Sequence, residues 1–323
     1  MNRLFRGAVL GCSILLLATH SALAQGYPQR PVRLVVPFPP GGSTDVSARL
    51  LAQELGARLG QTIVTENRPG AGTMIGNELV SRAAPDGYTL LYASSSIAIT
   101  PSLNRGMTFD PRRDLMPVSM FIQAPLIIVA NRAMPFRTVP DLVAYAKANP
   151  GRLNVAYPGM GTTNHLAAAL FNRSAGVDIV LAPFAGNAAG LTALMRNDVQ
   201  LAFDSVASAG GFVHDGSLLA IAVTGEARSP SVPQVPTVAE SGVPGFETTF
   251  WFGLMAPLRT PDAIVQRLAE EMQAVVRNPE VIAKLRGMGF EAEVHGPEPF
   301  AQRVAADYSK WGELIRQARI GAE

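Results

Sequence analysis

The sequence predicts an α/β fold of two units joined by two crossover strands, with a ligand cleft between them. Apolar, β-branched runs alternate with stretches of helical periodicity from Val32 onward, and the alternation restarts after Pro125. Gly-rich loops follow strands in both units, at residues 39–45 and 158–164. Such alternation specifies a parallel sheet flanked by helices, with loops at the carboxyl ends of strands as the natural ligand position. With 48% apolar and 16% charged residues in 323, disordered and collagen-like classes are excluded. The 25 prolines and 30 glycines fit a loop-rich α/β chain better than a helical bundle, because both residues interrupt helices.

Residues 1–24 are set apart. Asn2 to Arg6 is a basic start, Gly7 to Leu17 is mostly apolar, and Ala22-Leu23-Ala24 supplies small residues for cleavage before Gln25. That is the pattern of a secretory signal peptide, and the apolar run is shorter than the ~20 residues a spanning helix needs. Cys12, the only cysteine, lies inside it. Losing Arg3 and Arg6 brings the 27 basic residues level with the 25 acidic ones, so the exported chain is near neutral. No basic stripe interleaved with aromatics favours nucleic acid, and the lack of cysteine excludes thiolate nucleophiles and Cys-ligated metals.

In the first unit, Val32 to Phe38 reads as a buried strand and Val46 to Leu59 as a helix, capped by Ser43, Thr44 or Asp45. Thr62 to Glu66 is a strand, Thr73 to Ala84 a helix and Tyr88 to Ala93 a strand. After a looser stretch, Pro125 to Ala130 gives a strand that carries the chain into the second unit. There follow a helix (Val139 to Asn149), strand (Leu153 to Ala156), helix (His165 to Ser174), strand (Ile179 to Ala182) and helix (Gly190 to Arg196). Strands Leu201 to Asp204 and Leu218 to Thr224 precede a Pro-rich stretch and the aromatic strand Thr249 to Ala256. Helices then run from Pro261, Pro279 and Pro297. The expected organisation is one lobe of residues 25–124 with 251–323 and a second of residues 125–250.

The turn at residues 39–45 joins a buried strand to a helix start, where backbone N–H groups lack intrahelical partners and suit a carboxylate. Gly41 and Gly42 let a ligand approach the backbone, while Ser43 and Thr44 add hydroxyls. Gly161, Thr162, Thr163 and His165 repeat the arrangement in the second unit. Ser94 and Ser95 follow a strand, as does Asp204 in Phe203-Asp204-Ser205. A triad of Ser95, His165 and Asp204 is the alternative of a secreted serine hydrolase, weakened by the absence of any G-x-S-x-G elbow. The glycines at 70, 72 and 76 depart from dinucleotide spacing, and the scattered histidines make no metal motif. Phe250 and Trp251 read as core or hinge packing.

Three segments carry a resemblance: VVPFPPGGSTD at 35–45, ENRPGAG at 66–72 and APDGYTLL at 84–91. With Phe203-Asp204 and Trp251-Phe252-Gly253 they resemble the Bug family of extracytoplasmic solute receptors, the binding components of tripartite tricarboxylate transporters. The resemblance implies a periplasmic binding protein-like fold that closes around a small organic acid and holds one carboxylate through backbone amides and ordered waters. Contacts are implied at Phe38, Gly41, Gly42, Asp45, Ser94, Ser95, Gly161, Thr162, Thr163 and His165, and Ser43, Thr44, Gly186 and Asp204 complete the candidate set. At Phe184-Ala185-Gly186-Asn187 the family often has a basic residue where Ala185 stands, which leaves the far end of the ligand unassigned. The expectation is a monomeric periplasmic receptor without catalysis, metal or cofactor, delivering a small carboxylate to membrane transporter subunits. A ligand sensor for a signalling partner would share the site.

Overall fold

The computed structural model describes residues 26–104 and 106–321. The leader assignment at residues 1–24 lies outside them. Strand β1 (Val32–Val36), helix α1 (Ser43–Leu59), β2 (Ile63–Asn67), α2 (Met74–Ser81) and β3 (Thr89–Ser94) open the chain. β1 pairs in parallel with both β2 and β3, with Val36 opposite Asn67 and Val35 opposite Leu91. Their carboxyl ends therefore reach one edge. α1 lays Leu50, Leu51, Leu55 and Leu59 into the core and stops at left-handed Gly60, whose N–H caps Gly56 O. It starts three residues before the apolar periodicity does, because its first turn is polar. The N-cap is Gly42, with no side-chain cap, in place of the expected Ser43, Thr44 or Asp45.

Short helices α3 (Thr100–Leu103) and α4 (Pro111–Asp114) lead into β4 (Leu115–Asn131). β4 is much longer than the strand expected at 125–130. Its first part carries Pro117, Ser119 and Gln123 and register shifts at Pro117/Ser119 and Met120/Ile122, irregularities that hide a period of two. The second alternation runs α5 (Val139–Ala148), β5 (Asn154–Tyr157), α6 (Thr163–Ala175), β6 (Val180–Pro183), α7 (Asn187–Met195), β7 (Leu201–Ser205), α8 (Val206–His214) and β8 (Leu218–Val223). The chain returns through β9 (Thr249–Pro257), α9 (Asp262–Val276), α10 (Pro279–Gly287), β10 (Glu291–His295) and α11 (Pro297–Gln317). α8 and β10 were not expected. Two adjacent glycines weaken the helical signal of α8, and β10 is half-exposed along its length.

The strands form a curled mixed sheet in the order β2-β1-β3-β9-β4-β7-β5-β6, with β8 and β10 also on β4. β4 is shared: Leu115 to Pro125 pair with β9, and Leu126 to Ala130 with β7. The junction is pinned by Thr224, which is fully buried. Its hydroxyl accepts from Leu126 N–H at 2.8 Å and donates to Thr248 O at 2.6 Å. One side chain thus ties β4 to the segment that enters β9.

Trp251 and Phe250 pack in the core, as expected of the returning strand. Trp251 is fully buried, meets the Phe300 ring edge-on at 5.0 Å and donates its indole N–H to Asp307 at 2.6 Å. Gly253 has no side chain for a steric reason, since a Cβ there would lie 2.6 Å from Phe300 Cζ and 2.8 Å from Ser119 O. Removing a buried ring such as Phe300 costs about 3–5 kcal/mol, so this corner anchors α11 on the sheet.

Candidate functional site

The parallel register brings the loops after β1, β2 and β3 to one edge of the first half, and those after β5, β6 and β7 to one edge of the second. In the turn after β1, Gly41 and Gly42 are exposed and Ser43 is half-buried. Gly41 has φ +85, a conformation that side-chain-bearing residues rarely adopt. Among the described residues, the N–H groups of Ser43, Thr44 and Asp45 donate to no protein atom, and the first intrahelical bond runs from Val46 N to Gly42 O. These donors lie at the positive end of a 17-residue helix, where the sequence analysis expects an anion to bind.

Asp45 turns inward. Its Oδ2 accepts from Gly41 N–H at 3.0 Å and Arg49 Nε at 2.9 Å, and its Oδ1 accepts from Asn67 Nδ2 at 2.8 Å. Burial pushes this carboxyl up, but the hydrogen bonds from Arg49, Gly41 and Asn67 outweigh it and hold the group below the usual range. Arg49 balances the charge of Asp45 beside the free N–H groups of the turn. Asn67 also donates to Phe38 O at 3.1 Å, so it fixes both ends of the turn. Asn67 was not among the candidates. Its signal was an amide at the end of the neighbouring parallel strand.

The second turn repeats the design with other atoms. Thr162 is the N-cap of α6, and its hydroxyl accepts from His165 N–H at 3.3 Å. Gly161 N–H donates to His165 Nδ1 at 3.4 Å, four residues on, as Gly41 does to Asp45. Among the described residues, Thr163 and Asn164 N–H have no protein acceptor. His165 is buried and stacked on Tyr157 with ring centroids 4.5 Å apart, and burial pushes its pKa down to about 4. It is a neutral acceptor at ordinary pH.

The two turns meet through neighbours. Ser95 opens the 3-10 turn after β3, and its hydroxyl lies 2.7 Å from that of Thr163. Ser94, Ser95 and Thr163 are all buried. Nearby, Leu166 of α6 joins Ile99, Trp311, Leu314 and Ile315 in one apolar cluster, so α11 touches the helix behind the second turn. Gly186 caps α7 with φ +107, and Asn187 donates to both Asp204 and Ser208 Oγ. Asp204 is buried and its pKa is raised to about 7, by burial first, against hydrogen bonds from Ser205 N–H, Ser208 and Asn187. Ser95, His165 and Asp204 each hold other partners, and no hydrogen bond joins any two of them. Among the described residues no cluster of three or more His, Cys, Asp or Glu could hold a metal, and no helix is long and apolar enough to cross a membrane.

Two α/β half-sheets sharing a long strand, with Ser95 after β3 of one half meeting Thr163 at the start of α6 in the other, define a solute-binding receptor of the periplasmic binding protein type. The chain belongs to the tripartite tricarboxylate transporter family receptors, whose family model matches residues 47–320. Protein BugT of Bordetella pertussis is 34% identical over 320 residues, covering 98% of each chain. The structure of Rpa4515 from R. palustris with adipate aligns with a TM-score of 0.84 at 34% identity, over 90% of this chain and 98% of that one. MatC from Rhodopseudomonas palustris with bound malate aligns with a TM-score of 0.80 at 32% identity, over 90% of this chain and 100% of that one.

Proposed function

We propose that this protein is a periplasmic receptor that captures a small organic acid between two lobes and delivers it to a tripartite tricarboxylate-type membrane transporter. The lobes are residues 25–124 with 251–323 and residues 125–250, hinged where Thr224 bridges Leu126 and Thr248. One carboxylate of the ligand sits against the N-termini of α1 and α6. The observation that carries this reading is the pair of turns whose first helical N–H groups lack protein acceptors, at Ser43 to Asp45 and at Thr163 and Asn164. Adipate and malate in the related structures support the carboxylate class. Separate partners for Ser95, His165 and Asp204 favour binding without turnover.

Calorimetry and thermal shift across a panel of mono- and dicarboxylates test the proposal. At least one acid is expected to bind with micromolar affinity, about −8 kcal/mol, and to be recovered unchanged. Silence across the panel, or conversion of the acid, contradicts it.

A further inference from the structure

Helix α6 has two apolar faces. Ala167, Ala168 and Phe171 join the main core beneath it, while Leu166, with Leu170 four residues on, enters a separate cluster made with α11. Leu166 is fully buried, yet its cover comes from the other half of the chain. Ile99, four residues beyond Ser95, supplies one side, and Trp311, Leu314 and Ile315 on α11 supply the rest. Trp311 is 2% exposed.

α11 is fastened to the first lobe. Phe300 packs against Trp251, Trp251 donates to Asp307, and the Tyr308 hydroxyl donates to Ile97 O at 3.0 Å. Its polar contacts with residues 125–250, Arg303 to Thr249 and Lys310 to Glu247, flank the hinge residue Thr248, where a rotation displaces atoms least. Leu166 lies instead one turn beyond Thr163. A rotation that parts the Ser95 and Thr163 hydroxyls therefore also parts Leu166 from Ile99 and from α11. A Cβ on Gly161 would stand 3.4 Å from Leu103 Cδ1, a further close approach between the same two segments.

We propose that Leu166 and the Trp311 face of α11 form an apolar latch that shuts when the bound acid draws the lobes together, so that they set affinity from outside the turns that hold the carboxylate. Separated lobes would expose both side chains to water, and burying them favours the closed state. Acid and latch stabilise the same state, so weakening the latch weakens the binding of the acid. This inference rests on the carboxylate reading and adds what holds the closed form shut.

The test uses malate, succinate, glutarate and adipate as probes on the purified protein. Leu166→Ala is expected to weaken acid binding at least about ten-fold in calorimetry, while the urea midpoint of the acid-free protein stays where it was, because the open form does not bury Leu166. The sequence has two tryptophans, and Trp251 belongs to the core of the first lobe, so Trp311 is the one whose surroundings change on closure. Acid is expected to move tryptophan emission to shorter wavelength in the unaltered protein. Trp311→Phe keeps an apolar ring there and is expected to abolish that shift. An acid-free midpoint that falls in Leu166→Ala shows a permanent contact and overturns the latch, as does an affinity within about two-fold of the original. Acid that binds without a Trp311-dependent shift also overturns the latch and leaves the carboxylate reading standing. Failure of all four acids to bind overturns both.

Discussion

The hydroxyls of Ser95 and Thr163 lie 2.7 Å apart, separated by 68 residues of sequence. Ser95 follows β3 in one half of the sheet and Thr163 opens α6 in the other, so this hydrogen bond spans the proposed cleft. A net hydrogen bond contributes about 0.5–1.5 kcal/mol, and breaking this one removes that amount from any state in which the halves meet. Ser95→Ala is expected to weaken acid binding about three- to ten-fold. Thr163→Val should do the same, and the double variant should lose little more than either. Calorimetry on the four proteins decides it, and fully additive losses contradict a direct coupling.

How far the residues announce this arrangement depends on periodicity and local chemistry. The βα alternation was legible because buried parallel strands such as VRLVV are continuous apolar runs and α1 repeats leucines at helical spacing. The turns at 39–45 and 158–164 were legible because glycine beside hydroxyl residues marks a strand-to-helix passage. The long first part of β4 was not, since its bulges interrupt the alternation. Nor was the inward turn of Asp45: a carboxylate in the first turn of a helix looks the same in sequence whether it faces a ligand or Arg49 and Asn67.

Gly42 separates fold from binding. It is the N-cap of α1 at φ −80, a conformation open to any residue, and a Cβ there meets no atom within 4 Å. Gly42→Val should therefore fold, losing about 1 kcal/mol because valine is a poor cap. Its methyl groups occupy the space in front of the Ser43 and Thr44 N–H donors. Acid affinity is expected to fall by roughly 100-fold, the loss of two charge-assisted hydrogen bonds. Unchanged affinity in calorimetry places the carboxylate elsewhere.

Asp45 carries a pH signature. Its carboxyl is held below the usual range, so its ionised form is bound more tightly by the fold than by the unfolded chain. The stabilisation is present above pH about 4 and is lost as pH falls further. Asp45→Asn keeps the shape but loses the charge that Arg49 and Gly41 N–H bond, and is expected to cost about 2 kcal/mol at pH 7. Urea unfolding of both proteins at pH 7 and pH 3 should show that difference shrinking in acid. A constant difference removes the charge from the account.

His165 gives the opposite case of a base kept neutral. Burial pushes its pKa down to about 4, against an unfolded value near 6.5, while Nδ1 accepts from Gly161 N–H. As pH falls below about 6.5 the unfolded chain takes the proton first, so the folded state loses stability until pH reaches about 4. The full loss is on the order of 3 kcal/mol. Asp204, raised to about 7, works in the other direction over an overlapping range, because its folded form holds a proton that the unfolded chain releases above about 3.8. The total pH curve therefore mixes the two, and comparison with His165→Phe isolates the histidine. The stability of the unaltered protein relative to that variant should decline steadily from pH 6.5 to pH 4.5 in urea titrations. Acid affinity between pH 6 and 8 should show no step attributable to His165, since the ring is neutral throughout. A stability difference that stays flat across the acid window means that the imidazole takes up its proton as readily in the folded protein as in the unfolded chain, and contradicts a ring held neutral by burial.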